Sequence, residues 1–255
     1  MRAPGRVNLI GEHTDYNEGL VLPCAIDREL WLAVATREDD VIRVWAADLG
    51  AQGCGGEFPI SSGQRTGDFL DYLKGAAQAL IEGGVSVPGL DLAIASDLPI
   101  GSGLSSSAAL GVATCKALLH AAGEAWQAKR VALAAYRGES HFVGTGCGIL
   151  DPFAIALGRA NQAMRIDCRT QQVESISFPS SRLGLLISHS GVTRRLAAAG
   201  GSLDPGTGYG ERLAQCRDAL AAAKRVNASC DGARTLRDIP IDRWTRRCFA
   251  DCVTS

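Results

Sequence analysis

The 255-residue sequence has almost no net charge: 26 Lys and Arg stand against 27 Asp and Glu, a formal balance of −1. That balance excludes bulk attraction to nucleic acid or to an acidic membrane as the basis of function and points to a small-molecule partner. The sequence also lacks any C-x-x-C pair. Its nine cysteines (Cys24, Cys54, Cys115, Cys147, Cys168, Cys216, Cys230, Cys248 and Cys252) are odd in number and scattered. This is the usage of reduced thiols in a cytoplasmic protein, mostly small core residues, with a zinc site as the lesser alternative. No apolar run approaches ~18 residues, and no charged stretch followed by an apolar one opens the chain, so neither a membrane span nor secretion is expected. Internal repeats, low-complexity tracts and runs of like charge are missing as well. What remains is ordinary for one or two globular domains, with 46% hydrophobic and 21% charged residues. Chains of this size bury roughly three quarters of their unfolded surface and need no disulfide or metal staple.

Against that background one stretch is unusual, Pro99-Ile-Gly-Ser-Gly-Leu-Ser-Ser-Ser-Ala-Ala109. Gly101 and Gly103 permit positive φ and close backbone approach, and the serines after them can cap a helix whose first N–H groups favour an anion. The stretch reads either as a phosphate cradle or as a plain strand-to-helix turn with a Ser cap. Two common phosphate motifs are absent. No Lys-Ser or Lys-Thr follows the last Gly, Lys116 lies too far along the helix, and Ser106 stands where a dinucleotide fingerprint has its third Gly. A nucleotide bound here is held by another plan.

Taken in order, Arg6 to Gly11 reads as a strand. The polar loop Glu12-His13-Thr14-Asp15-Tyr16-Asn17-Glu18-Gly19 follows. It suits a polyhydroxylated ligand better than a metal, because adjacent ligands seldom converge on one ion. Leu30 to Thr36 and Val41 to Ala47, split by Arg37-Glu-Asp-Asp40, predict a hairpin. Leu49 to Gly67 predicts a surface loop, Asp68 to Glu82 a helix, and Leu90 to Ala95 a strand leading into the Gly-Ser loop and a largely buried helix to about His120. Gln127 to Phe142 predicts another helix with Glu139 in its last turn. A carboxylate there opposes the helix dipole unless a positive charge faces it, the alternative being a solvated surface Glu. Asp151 before Pro152 is either an N-cap with Pro at the first helical position or, flanked by apolar residues, a general base. Gln162 to Cys168, Val173 to Phe178 and Leu183 to His189 predict three strands, and Glu211 to Val226 a helix. From Asn227 the pattern weakens, and the one domain seam lies near Pro179-Ser-Ser181.

Three of these stretches, in their order and separation, resemble the galactokinase family: Ala3-Pro-Gly-Arg-Val-Asn-Leu-Ile-Gly-Glu-His-Thr-Asp-Tyr-Asn17, the loop from Pro99 to Ala108, and Cys147-Gly-Ile-Leu-Asp151. That family belongs to the GHMP kinases, which include homoserine, mevalonate and phosphomevalonate kinases. Asp167-Cys-Arg169, Ser190-Gly-Val-Thr-Arg-Arg195 and Tyr209-Gly-Glu-Arg-Leu-Ala-Gln-Cys216 extend the likeness to about residue 240. The resemblance implies a two-domain α+β fold. Residues 1–180 would form the N-terminal GHMP kinase domain, like domain 2 of ribosomal protein S5, with the sugar and ATP sites, and residues 181–255 part of a ferredoxin-like C-terminal domain.

The resemblance also implies ATP-dependent phosphorylation of galactose at its C1 hydroxyl. Asp151 would be the base, with Arg6 orienting it. Glu12, His13, Thr14, Asp15 and Tyr209 would hold the sugar. Gly101, Ser102, Gly103, Leu104, Ser105, Ser106 and Ser107 would wrap the phosphates, and Ser107 and Glu139 would hold Mg²⁺. The expected setting is a cytoplasmic monomer with a small-molecule substrate and neither nucleic acid nor membrane as partner. Pro152 departs from the family, which has Gln after the base. The family's N-terminal lead-in and second Gly-rich loop are missing, so the chain is expected to start and stop inside domains and to self-associate through uncovered apolar surface. Two other functions fit the same residues: a truncated sugar- or nucleotide-binding relic or sensor without turnover, and a related sugar 1-kinase for arabinose or N-acetylgalactosamine.

Overall fold

The structure is a computed structural model that describes residues 1–49, 53–191 and 208–240. Its centre is an eight-stranded sheet of β1 (Arg2–Asn8), β2 (Leu20–Val21), β3 (Pro23–Arg37), β4 (Val41–Ala46), β5 (Cys54–Pro59), β6 (Gly89–Ser96), β7 (Gln162–Asp167) and β8 (Gln172–Ser177). The strand order is β2-β7-β3-β6-β4-β5, with β1 paired to β3 and β8 to β7. Every pairing is antiparallel except β4 with β6.

Period-two alternation gives the sheet one apolar face. Ile42, Val44 and Ala46 of β4 and Leu90, Leu92 and Ile94 of β6 are buried, while Arg43, Trp45, Ala93 and Ala95 between them are exposed. The buried face carries a helical layer of α1 (Leu70–Glu82), α2 (Ser106–Ala121), α3 (Ala128–Arg137) and α4 (Leu150–Leu157). The central α2 is apolar nearly all round, as a helix enclosed by its neighbours must be. A fifth helix, α5 (Gly208–Val226), belongs to a separate small cluster of Ala223, Cys230, Ala233 and Ile239.

The expected hairpin does not form. β6 lies between β3 and β4, pairing Leu92 with Val34 on one side and with Val44 on the other. A turn signal reports only its own neighbourhood and cannot anticipate a strand arriving fifty residues later; Arg37 beside that turn bonds both Asp39 and the β6 residue Asp91. The expected surface loop contains β5. Its glycines hide it, yet they are needed, since a Cβ at Gly55 would stand 2.8 Å from the Trp45 ring. No strand occurs at Leu183 to His189. Leu183, Leu185, Leu186 and Ile187 are exposed, and β-propensity without a partner strand makes no ladder among the described residues. The helix expected to reach Phe142 ends at Arg137 and continues as one π-helical turn, Gly138–Val143. The stretch Val192 to Arg195 and the chain's last residues, 241–255, lie outside the described residues.

Candidate active site

Arg6 reaches the site because β1 slips register between Pro4 and Arg6. At the slip a Cβ on Gly5 would meet Leu98 at 2.4 Å and the Leu104 carbonyl at 3.0 Å, so glycine alone lets β1 pass under the loop before α2. Arg6 Nε donates to Asp151 Oδ1 at 2.6 Å, its Nη1 to the Gly103 carbonyl at 2.6 Å, and its backbone N–H to the Leu104 carbonyl. Ser105 Oγ donates to the other carboxylate oxygen, Asp151 Oδ2, at 2.5 Å. The pair is sheltered without being sealed, with side-chain exposures of 16% for Arg6 and 27% for Asp151. Asp151 is not an N-cap. That place belongs to Ile149, and both Asp151 oxygens point elsewhere. Pro152 costs the helix nothing, because N–H groups in the first turn have no partner within it.

Gly101 and Gly103 take φ of +70° and +81°, as the cradle reading requires. The serines, however, do not cap α2. Ser105 occupies the N-cap position in the left-handed region, at φ +62° and ψ +44°, and makes no side-chain cap bond. Its hydroxyl is spent on Asp151, and that of Ser102 on the Pro99 carbonyl at 2.7 Å. The uncapped N–H groups of α2 are therefore left for an anion. A Cβ on Gly103 would meet nothing within 4 Å, so the loop faces open space, while Leu104 anchors it against the core.

Ser107, in the first turn of α2, donates to Glu139 Oε1 at 2.7 Å. Glu139 is no solvated surface residue, being 6% exposed. Burial, aided by the negative charge of Asp151, pushes its carboxyl up to about 7, against the pull of the Ser107 hydroxyl and Arg6. The π-helical turn puts it there. Gly138 crosses Gly75 of α1 so closely that a Cβ on Gly75 would stand 2.7 Å from the Gly138 carbonyl. Thr145 then fastens the turn by donating from its N–H and hydroxyl to the Glu139 carbonyl. Burial and Glu139 together hold the neighbouring Cys147 thiol well above its usual range. Among the described residues no three His, Cys, Asp or Glu side chains gather around a common point. Ser107 and Glu139 thus offer two oxygen ligands, which suits a Mg²⁺ ion completed by phosphates and water.

The loop after β1 is shaped from within. Thr14 Oγ1 is 2.7 Å from the Gly11 carbonyl and 2.9 Å from that of Leu20, so its donor serves the loop rather than a ligand. Asn8 Nδ2 donates to Glu12 Oε1 at 3.0 Å, and His13 Nδ1 lies 2.7 Å from the Tyr16 hydroxyl. Glu12 and His13 are exposed. Asp15 turns inward to Gly148, whose N–H donates to it, and is pushed up to about 6 by burial and by the charge of Asp151. A Cβ on Gly148 would fall 2.3 Å from Asp15 Oδ2. Tyr209 lies in the first turn of α5, and its side chain is outside the described residues.

Two arginines hold this loop from behind, and sequence reasoning gave neither of them that role. Arg169 Nε donates to Glu18 at 2.7 Å and its Nη2 pairs with Asp238 at 2.6 Å. Arg237 donates to the Glu18 carbonyl and to both oxygens of Asp167, at 2.5, 2.6 and 2.8 Å. Asp167-Cys-Arg169 and Gly148, within Cys147-Gly-Ile-Leu-Asp151, were visible as parts of the likeness; nothing in the sequence singled out Arg237.

The galactokinase galactose-binding signature matches residues 1–36, and the GHMP kinases N terminal domain matches residues 71–159. A galactokinase of Roseiflexus sp. (strain RS-1) is 39% identical over 249 residues, which cover 95% of this chain and 59% of that protein. The chain is similar to galactokinases along nearly its whole length. It spans about three fifths of the length of the curated relatives it matches. The crystal structure of Lactococcus lactis galactokinase complexed with galactose superposes with a TM-score of 0.77, covering 100% of this chain and 62% of that one at 24% identity. Methanococcus jannaschii mevalonate kinase gives 0.58 over 69% of this chain and 55% of its own, at 21% identity. The expected α+β GHMP kinase fold is thus the fold observed. No described helix is long and apolar enough to cross a membrane.

Proposed function

We propose that this chain is of the galactokinase family and transfers the γ-phosphoryl group of ATP to the C1 hydroxyl of galactose. The observation that carries the proposal is Asp151, a carboxylate gripped on both oxygens and standing between the loop holding Asp15 and the Gly-rich loop before α2. Phosphoryl transfer asks a protein chiefly to align acceptor and donor and to balance negative charge. In this reading residues 1–180 form the domain that carries both loops, and residues 181–255 contribute to a second domain.

Asp151 takes the proton of the C1 hydroxyl as its oxygen attacks. Arg6 keeps the carboxylate aimed and ties it to the loop through the Gly103 carbonyl. Glu12, His13, Asp15 and Tyr209 hold the sugar hydroxyls, with Thr14 shaping the loop that presents them. The segment from Gly101 to Ser107 receives the phosphates on the free N–H groups of α2. Ser107 and Glu139 would hold Mg²⁺, which when bound neutralises phosphate charge. The buried, raised carboxyl of Glu139 fits that assignment because it lacks a full counter-charge of its own. The seven cysteines among the described residues are all unpaired thiols, which supports a reducing, cytoplasmic setting.

The test is phosphorus NMR of the chain with ATP, Mg²⁺ and galactose, beside Asp151→Asn. Removing a proton-transfer group costs about 10²–10⁴-fold, so turnover should fall by that order while calorimetric galactose binding persists. Undiminished turnover in the variant refutes the role of Asp151. Galactose binding without product from the parent would favour the binding-only reading, and a panel including arabinose and N-acetylgalactosamine reads the choice of sugar.

A further inference from the structure

We infer that Ser105 is a positioning residue for the base: its hydroxyl, donated to Asp151, fixes the direction in which the carboxylate presents its remaining lone pairs to the acceptor. This rests on reading Asp151 as the base, and it moves Ser105 from the phosphates, where its place in the loop would put it, to the proton-transfer machinery.

Three observations carry it. Ser105 is 8% exposed; its single donor goes to Asp151 Oδ2 at 2.5 Å, and its oxygen accepts from no N–H of the helix it precedes. Its backbone is left-handed at φ +62°, a region that costs a non-glycine residue and that this loop otherwise fills with glycine, at Gly101 and Gly103. A serine in glycine's conformation is accounted for if its hydroxyl is needed. Finally, the contacts close a ring. Asp151 binds Arg6, Arg6 binds the Gly103 carbonyl, and two residues on Ser105 returns to Asp151. With the hydroxyl gone, Asp151 keeps Arg6 on one oxygen only, and an Asp carboxylate has a broad terminal torsion about which it can then turn.

The test uses the full chain with Ser105→Gly, which deletes the hydroxyl while suiting the left-handed backbone, and Ser105→Asn, which tolerates that backbone and restores a donor. Ser105→Gly should lower kcat by about 10- to 100-fold, the range for losing a hydrogen bond to a charged group, and leave KM for galactose and for ATP unchanged. Ser105→Asn should recover part of the loss. Added to Asp151→Asn, Ser105→Gly should cost nothing more, because the two residues act as one unit. An unchanged kcat with a raised KM for ATP overturns the inference and makes Ser105 a phosphate ligand. Crystal structures of the parent and Ser105→Gly supply a readout that needs no turnover. A carboxylate turned away from its parent orientation supports the inference, and one that keeps it overturns the inference. Should the parent form no sugar phosphate, the functional reading falls while the carboxylate's orientation still decides the role of Ser105.

Discussion

Replacing Glu139 with Gln removes a buried charge and little else. Gln keeps the length of the side chain and an oxygen for the Ser107 hydroxyl. Burial raises the Glu139 carboxyl from the usual 4.5 to about 7, and each unit is worth about 1.4 kcal/mol. The ionised form therefore costs the native state up to about 3 kcal/mol. Because the native value lies above the unfolded one, the native state holds the extra proton between roughly pH 4.5 and pH 7. Stability falls as pH rises through that window, and the penalty is complete above it. Glu139→Gln should therefore match the parent near about pH 4 and exceed it at about pH 8. For a chain of this size 1 kcal/mol moves Tm by about 2–4 °C, so the difference should be roughly 6–12 °C. The assay is thermal unfolding across that pH range in EDTA, repeated with Mg²⁺ and ATP. The cation offsets the carboxylate's charge in the parent alone, so it should narrow the gap. A difference independent of pH would refute the reasoning, since the whole effect comes from one titrating group.

Two further perturbations act through glycines that the site cannot spare. Gly148→Ala drives a Cβ to within 2.3 Å of Asp15 Oδ2; galactose affinity should drop about tenfold or more, ~1.4 kcal/mol, with ATP affinity unchanged in the same calorimeter, and unaltered galactose binding would show that Asp15 does not read the sugar. Gly75→Ala sets a Cβ 2.7 Å from the backbone carbonyl of Gly138, which cannot swing aside. Urea unfolding should report a loss of about 1–3 kcal/mol and kinetics a raised Mg²⁺ requirement, because the turn carrying Glu139 must shift; an unmoved midpoint would contradict the close crossing.

The parts of the site that the sequence made legible are those whose chemistry is local. Gly101 and Gly103 betray a loop with positive φ because few other residues adopt it, and the polar run after β1 stands out between apolar neighbours. Arg6 and Asp151 are 145 residues apart and meet only through tertiary packing, so resemblance, not pattern, paired them. Ser105 looked like a helix cap because Ser is the usual cap, and its true partner lies on another helix. Glu139 looked exposed because helical spacing does not foresee a π-helical turn, which rotates the following residues inward. The sheet shows the same division. Leu90 to Ile94 announces a strand, but its insertion between β3 and β4 is decided by which apolar rows need covering, and β5 is hidden by glycines that serve Trp45 on the neighbouring strand.

The arginine clamp behind the polar loop after β1 has a consequence for how the protein is made. Arg237 is 219 residues from Glu18 along the chain, and Arg169 is 151 residues from it. Contacts this distant close late, because chain entropy opposes them until nearer structure has shortened the effective loop. A growing polypeptide can therefore complete its sheet and helical layer while the far end of that loop is still unfastened. The loop is fastened only once residues 235–238 have been made, so, on the proposed reading, galactose binding by a nascent chain would report that this late stitch has closed.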